Sequence, residues 1–205
     1  MYIIDTVVLL YFMLTRREQL LLRLLGSPLR VPLVVYDPEE EELPVPALQR
    51  AELLSEMRQA IRHYEIRART SPADKVRFER LRTIDDLHRK GMLETVPLVE
   101  DELQLAAELQ SREAVSRFTV RTPLGAGEAS CVSIAFRRGW TIATDDNDAL
   151  TVLSELHGSE DFAYHRIRSL LIRAGNEGLV TRDEANRIHE DMRAEGFWDA
   201  GTPFA

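Results

Sequence analysis

The chain has 205 residues, a formal net charge of −8, 44% hydrophobic residues and one cysteine. That length is ample for one domain with a sizeable core, and the acid excess argues against a protein that coats nucleic acid, though not against an enzyme whose acids are neutralised by metal. A single cysteine excludes an internal disulfide framework and suits a reducing, cytoplasmic setting, while Asp5 interrupts the first apolar run, so neither a signal peptide nor a membrane span is expected.

Met1-Ile4 is a short continuous apolar run, the pattern of a strand buried on both faces, and it ends in the acid Asp5. Asp5-Thr6 then opens a helix expected over Val7 to Leu25, which Gly26-Ser27-Pro28 stops. Leu29-Val35 is rich in β-branched residues and contains Pro32, so it reads as a second strand near a sheet edge. Strand, helix, strand is the unit of a parallel sheet. An α/β fold is therefore favoured by residue 36.

Asp37-Pro38 leads into four glutamates, Glu39 to Glu42, and then Pro44 and Pro46, which reads as a solvated loop or first helical turn. From Ala47 to Ala68 the positions Leu54, Met57, Ile61, Tyr64 and Ala68 fall at helical spacing. Ser71-Pro72 caps a second helix, which carries Val76, Leu81, Ile84 and Leu87 inward and ends near Gly91. The pair reads as a helical-hairpin insertion over residues 47–91. Between Arg50 and Lys90 the chain has 11 Lys and Arg against 7 Asp and Glu. That surplus is either a plain solvated face or a basic surface that guides a polyanion. Leu93-Pro97 follows as a third strand, and Glu100-Ser116 as a helix with Leu103, Ala106, Ala107 and Leu109 apolar.

The stretch from Gly125 to Leu150 is the densest in chemistry. A helix opens at Gly127-Glu128 and stops at Gly139, a short strand Trp140-Thr144 follows, and then come Asp145, Asp146 and Asp148. The carboxyl ends of strands in an α/β sheet face the ligand crevice. Acids crowded there repel one another unless a cation or a proton intervenes. Asp148 reads equally as the N-cap of the next helix, Ala149-Leu156, which ends at Gly158. Phe162-His165 is a last short strand, and Ile167-Ala174 an amphipathic helix closed by Gly178. Thr181 with Glu184 forms a capping box for a final helix ending near Gly196, so residues 166–196 are added C-terminal helices. The aromatic tail from Phe197 and Trp198 to Phe204 is expected to dock on the rest. No repeat or linker divides the chain, so residues 1–205 read as one domain.

Asp5, Glu128 and Asp146 stand at strand ends and a helix start, from which carboxylates can converge on one crevice. A site lined with hard oxygen ligands suits Mg²⁺ or Mn²⁺, and the absence of His and Cys from it disfavours zinc. Such a cluster with a divalent metal activates water and stabilises an in-line displacement at phosphorus. No glycine-rich phosphate loop and no G-x-S-x-G occur, which disfavours nucleotide hydrolases, dehydrogenases and serine hydrolases. His165 and Cys131 read as structural residues. Arg137 and Arg138 fit the dipole at a helix end, with phosphate contact as the alternative.

In three segments the chain resembles PIN-domain proteins, the metal-dependent nuclease fold that includes toxin ribonucleases of toxin–antitoxin pairs. These are Ile4-Asp5-Thr6, Gly127-Glu128-Ala129 and Thr144-Asp145-Asp146, the last matching the family's T-x-D motif. The resemblance leaves the helices between Ala47 and Gly91 outside it. It implies a three-layer α/β/α sandwich with a mainly parallel sheet of four or five strands, and a Mg²⁺- or Mn²⁺-dependent ribonuclease. Asp5, Glu128 and Asp146 would be the catalytic metal ligands, and Asp145 a further ligand or supporting group. Thr144, Thr6 and Asp148 would support them. The family's fourth acid would fall on Asp37, with Glu39 or Glu40 as alternatives. An antitoxin protein and a homodimer are the implied partners. The competing reading is a binding or scaffold module that has lost cleavage and engages RNA or a protein through the helical insertion.

Overall fold

The first strand, β1 (Tyr2–Ile4), divides the molecule: Ile3 is buried in one hydrophobic core and Ile4 in another. Successive strand residues point to opposite faces, so one short strand serves two cores. A computed structural model of the chain describes residues 1–41, 54–158 and 161–204. In it, β1 pairs in parallel with β4 (Thr141–Ala143), and β4 in parallel with β5 (Tyr164–His165). A second parallel pair joins β2 (Leu29–Pro32) to β3 (Leu93–Val96) in the register Leu29 opposite Leu93. β2 also lies near β1, but among the described residues it pairs only with β3, so it stands at a sheet edge as Pro32 suggested. The proline sits at the last paired position, where its missing N–H costs least, and its carbonyl accepts from Val35 and Tyr36 in a turn. The fold is mixed α/β with small parallel sheets.

The core around Ile4 is built from both ends of the chain. The first expected helix is two: α1 (Thr6–Leu14) and α2 (Glu18–Leu25), split where Thr15 Oγ1 donates to the Tyr11 carbonyl and Arg16 takes a φ of 57°. α1 is apolar almost all round because it is covered on several sides. Against it lie α3 (Glu56–Arg67) and α4 (Pro72–Leu81), with α5 (Thr83–Arg89) packed on β3 and α4, and their Met57, Ile61, Leu81, Ile84 and Leu87 join the same core. The hairpin is thus part of the body rather than an appendage. The expected start of its first helix at Ala47, with Glu42, Pro44 and Pro46, lies outside the described residues. The second helix breaks at Arg82, and Val76, expected inside, is 43% exposed.

Several of the hairpin's arginines are paired, mostly with acids of the hairpin itself. Arg67 and Arg77 both bond Asp74, Arg77 and Arg80 reach Glu195, and Arg89 reaches Asp86. Arg58 is buried on the equally buried Asp85 at 2.7 Å, with the Tyr36 hydroxyl donating to the same carboxylate at 2.8 Å.

The C-terminal helices α10 (Ile167–Asn176) and α11 (Arg182–Ala194) close this core with Leu170, Leu171, Ile188 and Met192. Thr181 caps α11 through the Glu184 N–H, while the Glu184 carboxylate turns to Arg17 instead of completing the expected box. The tail docks. Phe197 is buried against Tyr11, and Phe204 lies over Gly175, where a Cβ would come within 2.7 Å of its ring. The core around Ile3 lies under α6 (Glu100–Leu109), α7 (Arg112–Arg117), α8 (Ala126–Arg138) and α9 (Asn147–His157). α6 and α7 replace the single helix expected to Ser116, and Leu103 is 57% exposed rather than inward. Arg138 pairs with the buried Glu102 at 2.6 Å, which fixes α8 to α6.

Candidate functional site

β1 stops at Asp5 because its side chain caps α1, accepting from the Thr6 N–H at 2.7 Å. β4 is followed by Thr144, whose buried hydroxyl donates to Asp5 Oδ2 at 2.8 Å and accepts from the Asp146 N–H at 3.1 Å. One threonine therefore ties the ends of two neighbouring strands together. Asp146, and not Asp148, is the N-cap of α9, accepting from the Ala149 N–H at 2.6 Å. Asp148 instead accepts from the Arg121 N–H at 3.3 Å. Glu128 lies in the first turn of α8 and reaches back to the Gly125 N–H at 2.9 Å.

These acids feel one another. The Asp5 carboxyl is pushed up to about 7, chiefly by burial and then by the charges of Glu128 and Glu56. Glu128 is raised as well, by burial first and then by Asp146, Glu56 and Asp148. Beneath them Cys131 is fully buried, and burial plus Asp5, Glu56 and Glu128 hold its thiol far above the usual range. It is neither a nucleophile nor a ligand at neutral pH. Glu128 thus lies near enough to Asp5 and to Asp146 for their charges to act on one another, while Thr144 bonds Asp5 and the Asp146 N–H.

A further acid, Glu56, unsignalled by any catalytic motif of the sequence, acts on both Asp5 and Glu128. One of its carboxylate oxygens accepts from the Gly127 N–H at 2.9 Å, and the other from the Thr6 hydroxyl. Gly127 is glycine for this reason: a Cβ there would lie 2.4 Å from Glu56 Oε2. Asp37 does something else. Its carboxylate accepts from the Glu39 N–H at 2.9 Å and its N–H donates to Ser55 Oγ at 3.2 Å. Glu40 accepts from the Ser55 hydroxyl at 2.7 Å, and Glu39 is exposed. Both Asp37 and Glu40 hold Ser55, the N-cap residue of α3, and so set the position of Glu56 without joining it.

Asp145 faces the other way. It is 4% exposed, and its carboxylate accepts from the Ile167 N–H at 2.9 Å at the start of α10. Burial raises it to about 6, with the Ile167 N–H and Arg166 acting against that rise. It positions α10 rather than lining the crevice. His165 packs on Tyr2 and is lowered by burial, and Arg137 lies 5.5 Å from the Phe136 ring, both in structural roles.

Among the described residues, no three acid, histidine or cysteine side chains are close enough to hold an ion between them. The carboxylates of Asp5, Glu56, Glu128 and Asp146 are each turned onto a backbone N–H. A cleft of 760 Å³ opens beside Glu56 and runs past Leu54, Leu98, Leu103 and Ala106. No described helix is long and apolar enough to cross a membrane. Comparison of the chain with protein-family models, with curated proteins and with solved structures found no match.

Proposed function

We propose that the chain is a Mg²⁺- or Mn²⁺-dependent ribonuclease with a PIN-like fold. The observation that carries this is that Asp5, Glu56, Glu128 and Asp146, at strand ends and helix starts, lie near enough for their charges to act on one another, short of sharing an ion as they stand. Parallel strand pairs between two hydrophobic cores support the α/β/α layering that the reading requires. The donor set is all oxygen, which fits a hard divalent cation.

A divalent cation at such a site lowers the pKa of bound water and offsets charge on the phosphate. The residues do the rest. Thr144 holds Asp5 and the Asp146 backbone in one geometry, and Thr6 and the Gly127 N–H hold Glu56. Asp5, raised to about 7 by burial, would be drawn to its ionised form by a bound cation, and Glu128, raised by burial as well, stands beside it. One ionised carboxylate orients the water that attacks phosphorus as the sugar oxygen leaves. Rotation of Glu128 and Asp146 off their amides would close the set, since N-cap bonds are worth only about 1 kcal/mol each.

The second reading, a binding module without cleavage, is favoured by the apolar cleft beside Glu56, where an inhibitor protein or another partner would gain affinity. One experiment separates the two. Calorimetry with Mn²⁺ and incubation with a mixed RNA pool, with and without EDTA, are run on wild type and Asp146→Asn. Metal binding and cleavage that both vanish in the variant are expected. A wild type that binds no metal and leaves RNA intact sinks the enzyme reading.

A further inference from the structure

A cavity of 540 Å³ opens one residue along from Asp146, between the outer face of α9 and β5. Asn147, Thr151 and Glu155 form one wall, and Phe162, Tyr164 and Arg166 the other. The aromatic wall is a row of rings. His157 stacks on Phe162 with centroids 5.7 Å apart and planes 9° from parallel, and Phe162 meets Tyr164 at 5.5 Å. The row ends on Tyr164, which is 45% exposed. Arg166 is fixed beside it, with Nη2 donating to Asn147 Oδ1 at 2.7 Å and Nη1 to the Asp145 carbonyl at 3.3 Å. A guanidinium already held in place loses little freedom when it meets a phosphate.

We propose that this cavity accepts one unpaired nucleobase of a single-stranded RNA, next to the phosphate that lies at the Asp5–Glu128–Asp146 cluster. The proposal rests on the ribonuclease reading and deepens it. Tyr164 offers the open ring on which the base stacks, and Arg166 the cation for the intervening phosphate. Glu155 accepts from an exocyclic amino group, so a base that carries one is favoured over uracil. A base inside a duplex keeps both faces stacked on its neighbours and cannot reach Tyr164, so the substrate strand is unpaired here. This placement also suits a chain with a net charge of −8. Affinity then comes from one stack and one phosphate contact instead of a broad basic face.

The test is binding of a short fluorescein-labelled oligoadenylate, followed by fluorescence anisotropy in EDTA so that no cleavage intervenes. Tyr164→Ala should weaken binding on the order of tenfold or more and leave the salt dependence unchanged, while Tyr164→Phe binds as wild type. Arg166→Gln should flatten the slope of log K against log salt by about 0.7, the value for one phosphate contact on a single strand. A duplex of matching length should compete poorly. Unchanged affinity in Tyr164→Ala, equal competition by the duplex, or no binding by the wild type overturns the proposal. The exposed position of Tyr164 leaves the fold intact, which melting curves of each variant check. If RNA is cleaved and Tyr164→Ala binds as wild type, the base pocket fails and the nuclease reading stands. Binding that depends on Tyr164 without metal-dependent cleavage has the opposite meaning.

Discussion

Asp5 is 3% exposed, and its carboxyl, pushed up to about 7, is only half ionised near neutral pH. In the unfolded chain it ionises near its ordinary value of 3.8. Between those two values the folded protein holds a proton that the unfolded chain has released. The contribution of this group to stability is therefore fully present below pH 3.8 and is lost as pH rises through 7. At about 1.4 kcal/mol for each unit, forcing the charge at pH 8 costs on the order of 4 kcal/mol. Asp5→Asn removes that cost and can still accept from the Thr6 N–H. Its amide group, however, donates where Thr144 also donates, and this returns roughly 1 kcal/mol. The variant should gain about 2–3 kcal/mol at pH 8, a rise in Tm of roughly 5–10 °C for a chain of this length, and almost nothing at pH 4. Scanning calorimetry of both proteins in EDTA at the two pH values reads this directly. A variant that melts at or below the wild type at pH 8 refutes the assignment of Asp5 as a buried, destabilising acid. Added Mn²⁺ should raise the wild-type Tm at pH 8 and leave Asp5→Asn where it was.

Three further outcomes follow from the same contacts. Glu56→Gln should abolish metal-dependent RNA cleavage while Asp37→Asn cleaves at the wild-type rate, and the reverse pattern in a cleavage assay would return the fourth acid to the loop. Gly127→Ala should force Glu56 off its amide, which costs roughly 1–3 kcal/mol in urea melts and suppresses cleavage together with it. Arg58→Ala should destabilise by roughly 3–5 kcal/mol, because Asp85 stays buried and charged without its partner. The double change Arg58→Met with Asp85→Leu should recover most of that loss, and a single variant that melts like wild type would show the pair to be dispensable.

The strands were legible because buried parallel strands are plain apolar runs between turn signals, as in Met1-Ile4 and Leu93-Pro97. The placement of Asp5, Glu128 and Asp146 at element ends was legible for a related reason: each stands at the boundary of an element that the pattern places. Helix breaks were not. Thr15 to Arg17 and Gln110-Ser111 carry neither glycine nor proline, and the chain turns there only because tertiary packing asks for a new direction. Glu56 was hidden by Asp37, Glu39 and Glu40, acids that follow β2 more closely in the sequence. The signal was present all the same. Ser55-Glu56 is a cap residue followed by an acid in the first helical turn, much as Gly125 and Glu128 open α8. Asp145 and Asp146 could not be told apart from sequence, because adjacent residues leaving a strand point to opposite sides and only the fold says which side holds the crevice.

The same arrangement explains how four acids can stand near one another. Asp5 caps α1, Glu56 opens α3, Glu128 opens α8 and Asp146 caps α9, so each acid sits at the positive end of a helix. Every one accepts from a backbone N–H that would otherwise lack a partner. Helix dipoles at partly buried ends are worth up to about 2 kcal/mol each, comparable to the repulsion they offset. The compensation is incomplete where burial is deepest, which is why Asp5 and Glu128 remain raised. A cation supplies what the dipoles do not, and it competes with them for the same oxygens. Affinity for metal should therefore rise with pH as Asp5 ionises around 7, and it should be weaker than four free carboxylates would give. Calorimetric titration with Mn²⁺ at pH 6 and pH 8 reads both quantities, and an affinity independent of pH would place the bound ion away from Asp5.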